Sequence, residues 1–589
     1  MTKLSAAAVA AVVMWCLGAA PARALTISPL AGTPDASPHT QISFLGVEAN
    51  EIRDVAVVGS RSGAHRGRLA PYASAHGASF VLTHELEEGE QVKVSALVGP
   101  AHRARRVTDA FTVARLADYP FPPPRLAPAT KPGTVQSFQS QPQLHPPTVS
   151  VTLRSQSESP GDVFTAPVAG YGQWGPMIFE RDGALVWFKA LAPGEAAMDL
   201  QVQRYEGQPV LVWWQGRIVS QLGVGFGVDE IYDASYRPVA TVGAGNGYEA
   251  DLHEIQLTPS GAAFITAYSL VRANLTSVGG SADGTLQDAI VQEVDVKTGL
   301  VMWEWHAYGH VALTDSYNEQ PTSAATPWDF FHANSISLDP SGDENLLISS
   351  RNTWAGYEID KHTGQILWRL GGKRTSFRMG PGTGTAWQHD IRWQPDGTIS
   401  IFDDGDFPKV HSQSRAIRER IDWRTRTVSL VSRYVRSPAL LTGSQGNDQT
   451  LAAGAGGGDS FVGWGEQPYF TEFGPDGQAL FEAHLPFEDQ SYRAYTYPWT
   501  GTPTSPPALA ISPASGEAAT VYASWNGATG VSSWRVLAGP SPAQLSPIAN
   551  APRSGFETAI GVSSAAGDFA VQALGAGGQV LGTSSATAR

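Results

Sequence analysis

Two units recur along the middle of the chain, and their recurrence limits the fold more than any other feature. One is a strand, a tight turn and a tryptophan-bearing strand: Asp295–Trp303 (DVKTGLVMW) and Asp360–Trp368 (DKHTGQILW), with weaker copies at Arg181–Trp187 and Pro475–Phe481. The other opens on histidine, at His253–Gly261, His332–Gly342 and His389–Gly397. Each of these is an alternating strand, a turn carrying Pro259, Pro340 or Pro395, and a second β run. Self-similar β units of this size mark a β-propeller, whose blades are four-stranded sheets stacked round an axis. Residues 149–502 then make about six blades of roughly 40–50 residues, with loops such as residues 307–328 taking the excess.

The flanks have a different texture. From Leu25 to about residue 118, short β-branched runs (Gln41–Leu45, Asp54–Val58, Ser79–Leu82, Gln91–Val94) alternate with Gly/Pro/Asp turns. No 3.6-residue period appears, which predicts a small β-sandwich of about seven strands. Residues 119–148 are rich in proline and predict an extended connector lying over a neighbouring surface. Residues 503–589 predict a second sandwich of immunoglobulin or fibronectin type, built from runs such as Ser533–Leu537 and Phe569–Ala573, with a frayed tail from Gly582. The expected fold is therefore all-β: a six-bladed β-propeller flanked by N-terminal and C-terminal β-sandwich domains.

Residues 1–24 have the pattern of a secretory signal peptide: Lys3, an apolar core at residues 6–17, and Ala22-Arg23-Ala24 before the cut. The run is too short to span a bilayer, so no transmembrane anchor is expected and the protein is expected to be secreted or periplasmic. The single cysteine, Cys16, lies inside this segment, which leaves the mature chain without disulfides, thiolate metal sites or cysteine chemistry. Without Lys3 and Arg23 the net charge of −14 becomes −16, from 38 basic and 54 acidic residues. Such a surface argues against nucleic acid and anionic lipid as partners.

In a propeller, equivalent positions of all blades face one axis, so His253, His332 and His389 can converge at one mouth. Arg351, just past the run Leu346–Ser350, can reach the same place. Imidazoles and a guanidinium gathered there call for an anion such as phosphate or sulfate. Taken singly, each histidine also fits a hydrogen-bonded strand edge; Asn334 is expected to line the site and bind substrate, with a turn or strand-edge hydrogen bond as its alternative. Asp390 follows His389 directly and so points to the opposite face, which makes it a poor orienter of that ring. The acidic run Asp403–Asp406 does not have the spacing of an EF-hand and reads as a solvated turn. Tryptophan strands with Asp-Gly turns also occur in quinone-dependent propellers, but here they suit blade packing. His306, His310, His362, His411 and His484 show no partner pattern, and no metal-ligand set or cofactor motif is expected.

Several of these stretches together are specific. His253-Glu254, Phe331–Ser335 (FHANS), Ser350–Thr353 (SRNT), Trp368–Lys373 (WRLGGK) and Trp387–Asp390 (WQHD) resemble the bacterial arylsulfotransferases that do not use a nucleotide sulfate donor. The resemblance continues through Phe402–Asp404, Ser412–Arg415, Gly463–Gly465 and Ser491–Tyr495, across about residues 170–499. It implies a sulfuryl group carried from a phenolic sulfate ester to a phenol acceptor through a sulfohistidine, with no cofactor. His389 then matches the nucleophile, and His253, His332 and Arg351 match the groups that hold the sulfuryl oxygens and assist the leaving phenol. The best understood enterobacterial members carry a disulfide that this chain cannot form. Two alternatives remain on the sequence: an aryl sulfatase using water as acceptor, and a non-catalytic ligand-binding propeller.

Overall fold

The recurring turns explain the strands they join. Gly299 and Gly364 adopt φ of 69° and 71°, a left-handed conformation that glycine takes without steric cost. Each closes its turn by an N–H bond to the carbonyl of Asp295 or Asp360, at 2.8 and 2.7 Å. The tryptophans that follow, Trp303 and Trp368, are buried between sheets. Loss of such a ring typically costs about 3–5 kcal/mol.

The computed structural model describes residues 25–128, 131–342, 344–451 and 458–589. The expected signal segment, 1–24, lies outside the described residues. The chain is all-β; among the described residues the only helical pieces are three short 3-10 turns. No helix there is long and apolar enough to cross a membrane.

Between residues 150 and 497 the strands form six groups. The first is Asp162–Thr165, Met177–Phe179 and Leu185–Phe188, completed by Ala494–Tyr497 from far along the chain. The second, Ala196–Val242, and the third, Ala250–His306, join through the pair Gly227–Ala250 into one long sheet. The fourth spans Ala333–Gly371 and the fifth His389–Tyr434. The sixth, Asn447–His484, takes Ser150–Arg154 as its outer strand. The leading strands of groups two to six lie side by side in order, and Ala494–Tyr497 touches both the second and sixth groups. The series therefore returns to its start.

Three leading strands carry bulges where the side chains matter most. Register jumps between Ala250 and Ile255, between Ala333 and Ser335, and between His389 and Arg392. A bulge inserts unpaired residues and re-aims side chains, which lets one short strand serve both the core and a cavity.

Outside the ring, residues 26–112 form two four-stranded sheets around a shared core that includes Ile42, Phe44, Phe80 and Phe111. Residues 508–588 form two further sheets around Val521, Trp534 and Phe569. The C-terminal tail is not frayed: Val580–Thr583 and Thr587–Ala588 both pair with Asp568–Leu574, which supplies the backbone partners that the polar sequence does not advertise. The proline-rich stretch lies on the ring, where Phe121 packs against Phe226 with ring centroids 5.0 Å apart.

Candidate active site

The structure brings His253, His332, Arg351 and His389 to the wall of one cavity of about 990 Å³. The His253 and His332 rings meet edge to face, centroids 4.7 Å apart. Tyr492 stands between the groups, its ring 5.5 Å from His253 and 6.3 Å from His389.

Each histidine rests on a carboxylate through Nδ1. The distances are 2.5 Å from His253 to Asp251, 2.5 Å from His332 to Asp329 and 2.7 Å from His389 to Asp404. With Nδ1 taken, Nε2 is the nitrogen left to the cavity. At His389 the tautomer is fixed from both sides, because the Gln445 backbone N–H donates to Nε2 at 3.2 Å. Nε2 therefore carries the lone pair, and Nδ1–H donates to Asp404.

Burial sets the charge states. It pulls His389 well below the ordinary imidazole range, helped by Arg351, His332 and His253. His332 is likewise lowered by burial, with Asp329 pulling the other way. Burial works against ionised Asp251, yet His253 and nearby backbone N–H groups outweigh it and hold that carboxyl below its usual range. Asp404 is pushed well up by burial, and Arg351 opposes that push.

Arg351 is fixed as a fork. Its Nη1 donates to Asn352 Oδ1 and its Nη2 to the Gly443 carbonyl, both at 3.1 Å, with the guanidinium 5.1 Å from the Trp387 ring centre. A guanidinium has five N–H donors, so these contacts leave others for an anion. Trp174, Tyr317, Trp328, Trp387 and Phe407 supply apolar, aromatic wall. Ala169, His332, Trp387, Phe407 and Gln445 all line the cavity with φ between 57° and 73°. Non-glycine residues in that region store strain, and such residues cluster where side-chain placement is functional. Gly223 comes so near that a Cβ there would lie 3.2 Å from His332 Cε1.

Two expectations need correction. Asn334 does not line the cavity: it is fully buried, and its Nδ2 donates to the Gln388 carbonyl at 2.8 Å while its own carbonyl accepts from Arg493 at 2.6 Å. The bulge at Ala333–Ser335 turns it into the centre of the ring. Nor is Asp403–Asp404 a solvated turn. Both are fully buried at the end of strand Ile399–Asp403, Asp403 against Arg415 Nε at 2.7 Å and Asp404 against His389. Asp390 faces away, lining a second cavity of about 610 Å³ and pairing with Arg392.

Below the histidines lies a buried ionic floor. Arg493, fully buried, donates from Nη1 to Asp199 at 3.0 Å and to Glu254 at 3.1 Å. Arg493 just precedes the strand that closes the ring, so one side chain ties the closing segment to groups two, three and four. The sequence reading missed this residue, as it missed Asp251, Asp329, Gln445 and the linker residue Arg125, which also lines the cavity.

An all-β chain with three carboxylate-backed imidazoles and a guanidinium round an aromatic cavity is built to hold an aromatic anion. Residues 201–485, just under half of the chain, match the family model described as Arylsulfotransferase (ASST), which supports the arylsulfotransferase family for that stretch. No curated protein matches it. Among solved structures, an auxiliary nutrient binding protein from Bacteroides ovatus is 13% identical over 83% of this chain and 93% of its own, with a TM-score of 0.29. A functionally unknown protein from Desulfotomaculum acetoxidans is 9% identical over 69% and 96%, with a TM-score of 0.30. Sqt1 from Saccharomyces cerevisiae is 9% identical over 85% and 94%, with a TM-score of 0.27. Similarity at that level bears on neither fold nor activity here.

Proposed function

We propose that this protein is an exported aryl-sulfate sulfotransferase whose six strand groups are the blades of a β-propeller flanked by two β-sandwiches. It moves a sulfuryl group from a phenolic sulfate ester to a phenol. The observation that carries the reading is the neutral His389 Nε2, its lone pair turned into a cavity that also presents Arg351 and aromatic walls. Neutral imidazole is a competent nucleophile at pH 7.

In the first half-reaction the Nε2 lone pair forms an N–S bond and the S–O(aryl) bond breaks, its electrons going to the phenol oxygen. Charge spread over the sulfuryl oxygens in flight is met by Arg351, as in phosphoryl transfer. The Nδ1–H bond to Asp404 offsets the positive charge that develops on the ring. His253, backed by ionised Asp251, protonates the departing phenolate, and His332 bounds the leaving group on the other side. The acceptor phenol then returns its proton to His253 and attacks sulfur, which regenerates His389. Kinetics are ping-pong because donor phenol leaves before the acceptor enters the same cavity.

Incubation of the purified protein with a chromogenic aryl sulfate, with and without a second phenol, tests the assignment. Transfer predicts sulfated acceptor in proportion to released chromophore. Release with no acceptor product would make the protein a sulfatase, and no release would leave a binding protein. For export, N-terminal sequencing of the secreted or periplasmic form should begin near Leu25, and its activity should be indifferent to reductant.

A further inference from the structure

We propose that Asp35, Asp288 and His306 hold one divalent metal ion of the zinc or manganese type, which pins the N-terminal β region to the third strand group. The inference is independent of the sulfotransferase reading, since none of the three lines the catalytic cavity.

The three residues come from separate parts of the chain. Asp35 lies between strands Thr26–Ser28 and Ile42–Leu45, Asp288 sits within Gly284–Asp295, and His306 ends Val301–His306. His306 Nδ1 is 3.0 Å from Asp288 Oδ2 and 3.2 Å from Asp35 Oδ1, and the three ligand atoms lie within 4.8 Å of one another. Around an ion with bonds of about 2.0–2.2 Å, neighbouring ligand atoms stand roughly 3.0–3.6 Å apart. Both separations fall in that range, and the shorter is also a hydrogen-bond length.

Asp35 points to the ligand most directly. It is 3% exposed, yet neither carboxylate oxygen receives a hydrogen bond. A buried carboxylate is costly unless paired or metal-bound. The surroundings are those of a metal histidine. Glu304 Oε1 stands 2.9 Å from His306 Nε2, and Glu304 is itself held by donors from Gln292 and Asn246. A carboxylate on the far ring nitrogen fixes the tautomer and leaves Nδ1 free to ligate. Asp288 Oδ1 takes the Tyr308 N–H at 2.7 Å, which leaves Oδ2 facing the cluster. The buried Tyr248 hydroxyl is also without a hydrogen-bond partner, and the Tyr248 ring lies 6.5 Å from that of His306.

The charge balance agrees. Three carboxylates, those of Asp35, Asp288 and Glu304, face one imidazole. A dication settles that excess. The competing occupant is a proton, which would turn His306 into an imidazolium bridging the same carboxylates. Two carboxylate oxygens and one imidazole, with no thiolate, suit Zn²⁺ or Mn²⁺.

The full-length protein should be refolded from a chelator, loaded with ZnCl2 or MnCl2, desalted and analysed for metal. About one equivalent should remain, with a rise in Tm of about 3 °C or more over the stripped protein. Asp35→Asn should retain less than about a tenth of an equivalent and lose the Tm response, whereas His389→Ala should keep the full equivalent. Zinc-edge absorption of the wild type should show oxygen neighbours and a single imidazole, a readout that does not depend on any variant folding. Wild type that desalts metal-free with unchanged Tm would establish the imidazolium cluster instead. Binding kept in Asp35→Asn, or lost in His389→Ala, would move the ion elsewhere and overturn the assignment.

Discussion

The backbone N–H of Gln445 lies 3.2 Å from His389 Nε2 and is the donor that marks this nitrogen as the one bearing the lone pair. In the proposed reaction that lone pair bonds to sulfur, so the N–H must give up its acceptor and would be free to donate to a sulfuryl oxygen. The donor is therefore engaged in the ground state as well, and only the part of its interaction that strengthens in the transition state lowers the barrier. Gln445 holds this position at φ 72°, with the backbone committed in advance.

The pH dependence should follow His389. Its proton must be absent for attack, and burial, then Arg351 and the two other histidines, hold its folded-state value well below the ordinary one. The acid limb of kcat/KM should therefore lie below about pH 6.5. Arg351→Met, by removing a cation, should move that limb upward in whatever activity remains. Stability moves with it: the unfolded imidazole takes its proton near pH 6.5 and the folded one only at lower pH, so stability falls as pH drops through that interval. A limb at or above the ordinary imidazole value would contradict the placement of the cations.

Asp404→Asn should leave the fold intact and lower kcat by about 10³–10⁴, the effect known when a carboxylate behind a catalytic imidazole becomes an amide. An amide can donate to Nδ1 and so favour the wrong tautomer. Steady-state kinetics beside an unchanged circular dichroism spectrum would separate this positioning role from a structural one. Asp251→Asn should cost less, because His253 only shuttles a proton.

Much of this was legible in the sequence, and the remainder was hidden for a physical reason. The histidines open equivalent strands, so the repeat alone placed His253, His332 and His389 together. Their carboxylates follow no common spacing: Asp251 lies two residues before its histidine, Asp329 three before, and Asp404 fifteen after. A bulge changes the register of each strand differently, and alternation cannot be carried through it. That is also why Asn334 was expected in the wall and turned into the core instead. Arg493 was invisible for another reason, since its partners Asp199 and Glu254 lie hundreds of residues earlier and meet it only when the ring closes.

Arg351→Lys should cost about 2–4 kcal/mol in kcat/KM, as for loss of one oxyanion donor. The guanidinium keeps its plane by bonding Asn352 and Gly443 while resting on Trp387, and an ammonium cannot hold that fork. Unchanged kcat/KM would place the residue outside the reaction.

Arg493→Met should destabilise the ring by about 3–5 kcal/mol in denaturant unfolding, because Asp199 and Glu254 would be left buried without their cation. Burial already pushes Glu254 up, and Arg392 and Arg493 are what hold it back. The variant should therefore recover part of its stability at lower pH, where Glu254 takes a proton. Equal destabilisation at every pH would assign the loss to packing alone.

Donor alone, with no acceptor, should release about one phenol per active site in a burst and leave the protein sulfated. Mass spectrometry should place the added group on the peptide carrying Trp387–Trp393, and an added phenol should discharge it. The N–S bond should be labile to acid and more stable to base. His389→Ala should abolish burst and transfer together, since neither His253 nor His332 has a backbone N–H holding its Nε2 lone pair in register with Arg351 among the hydrogen bonds of the described residues. Changes at His253 should slow both half-reactions while leaving the sulfated protein detectable, because the leaving group loses its proton donor and the nucleophile is untouched. Double-reciprocal plots at several acceptor concentrations should be parallel. Intersecting lines, or a His389→Ala protein that still becomes sulfated, would assign the chemistry to a different residue.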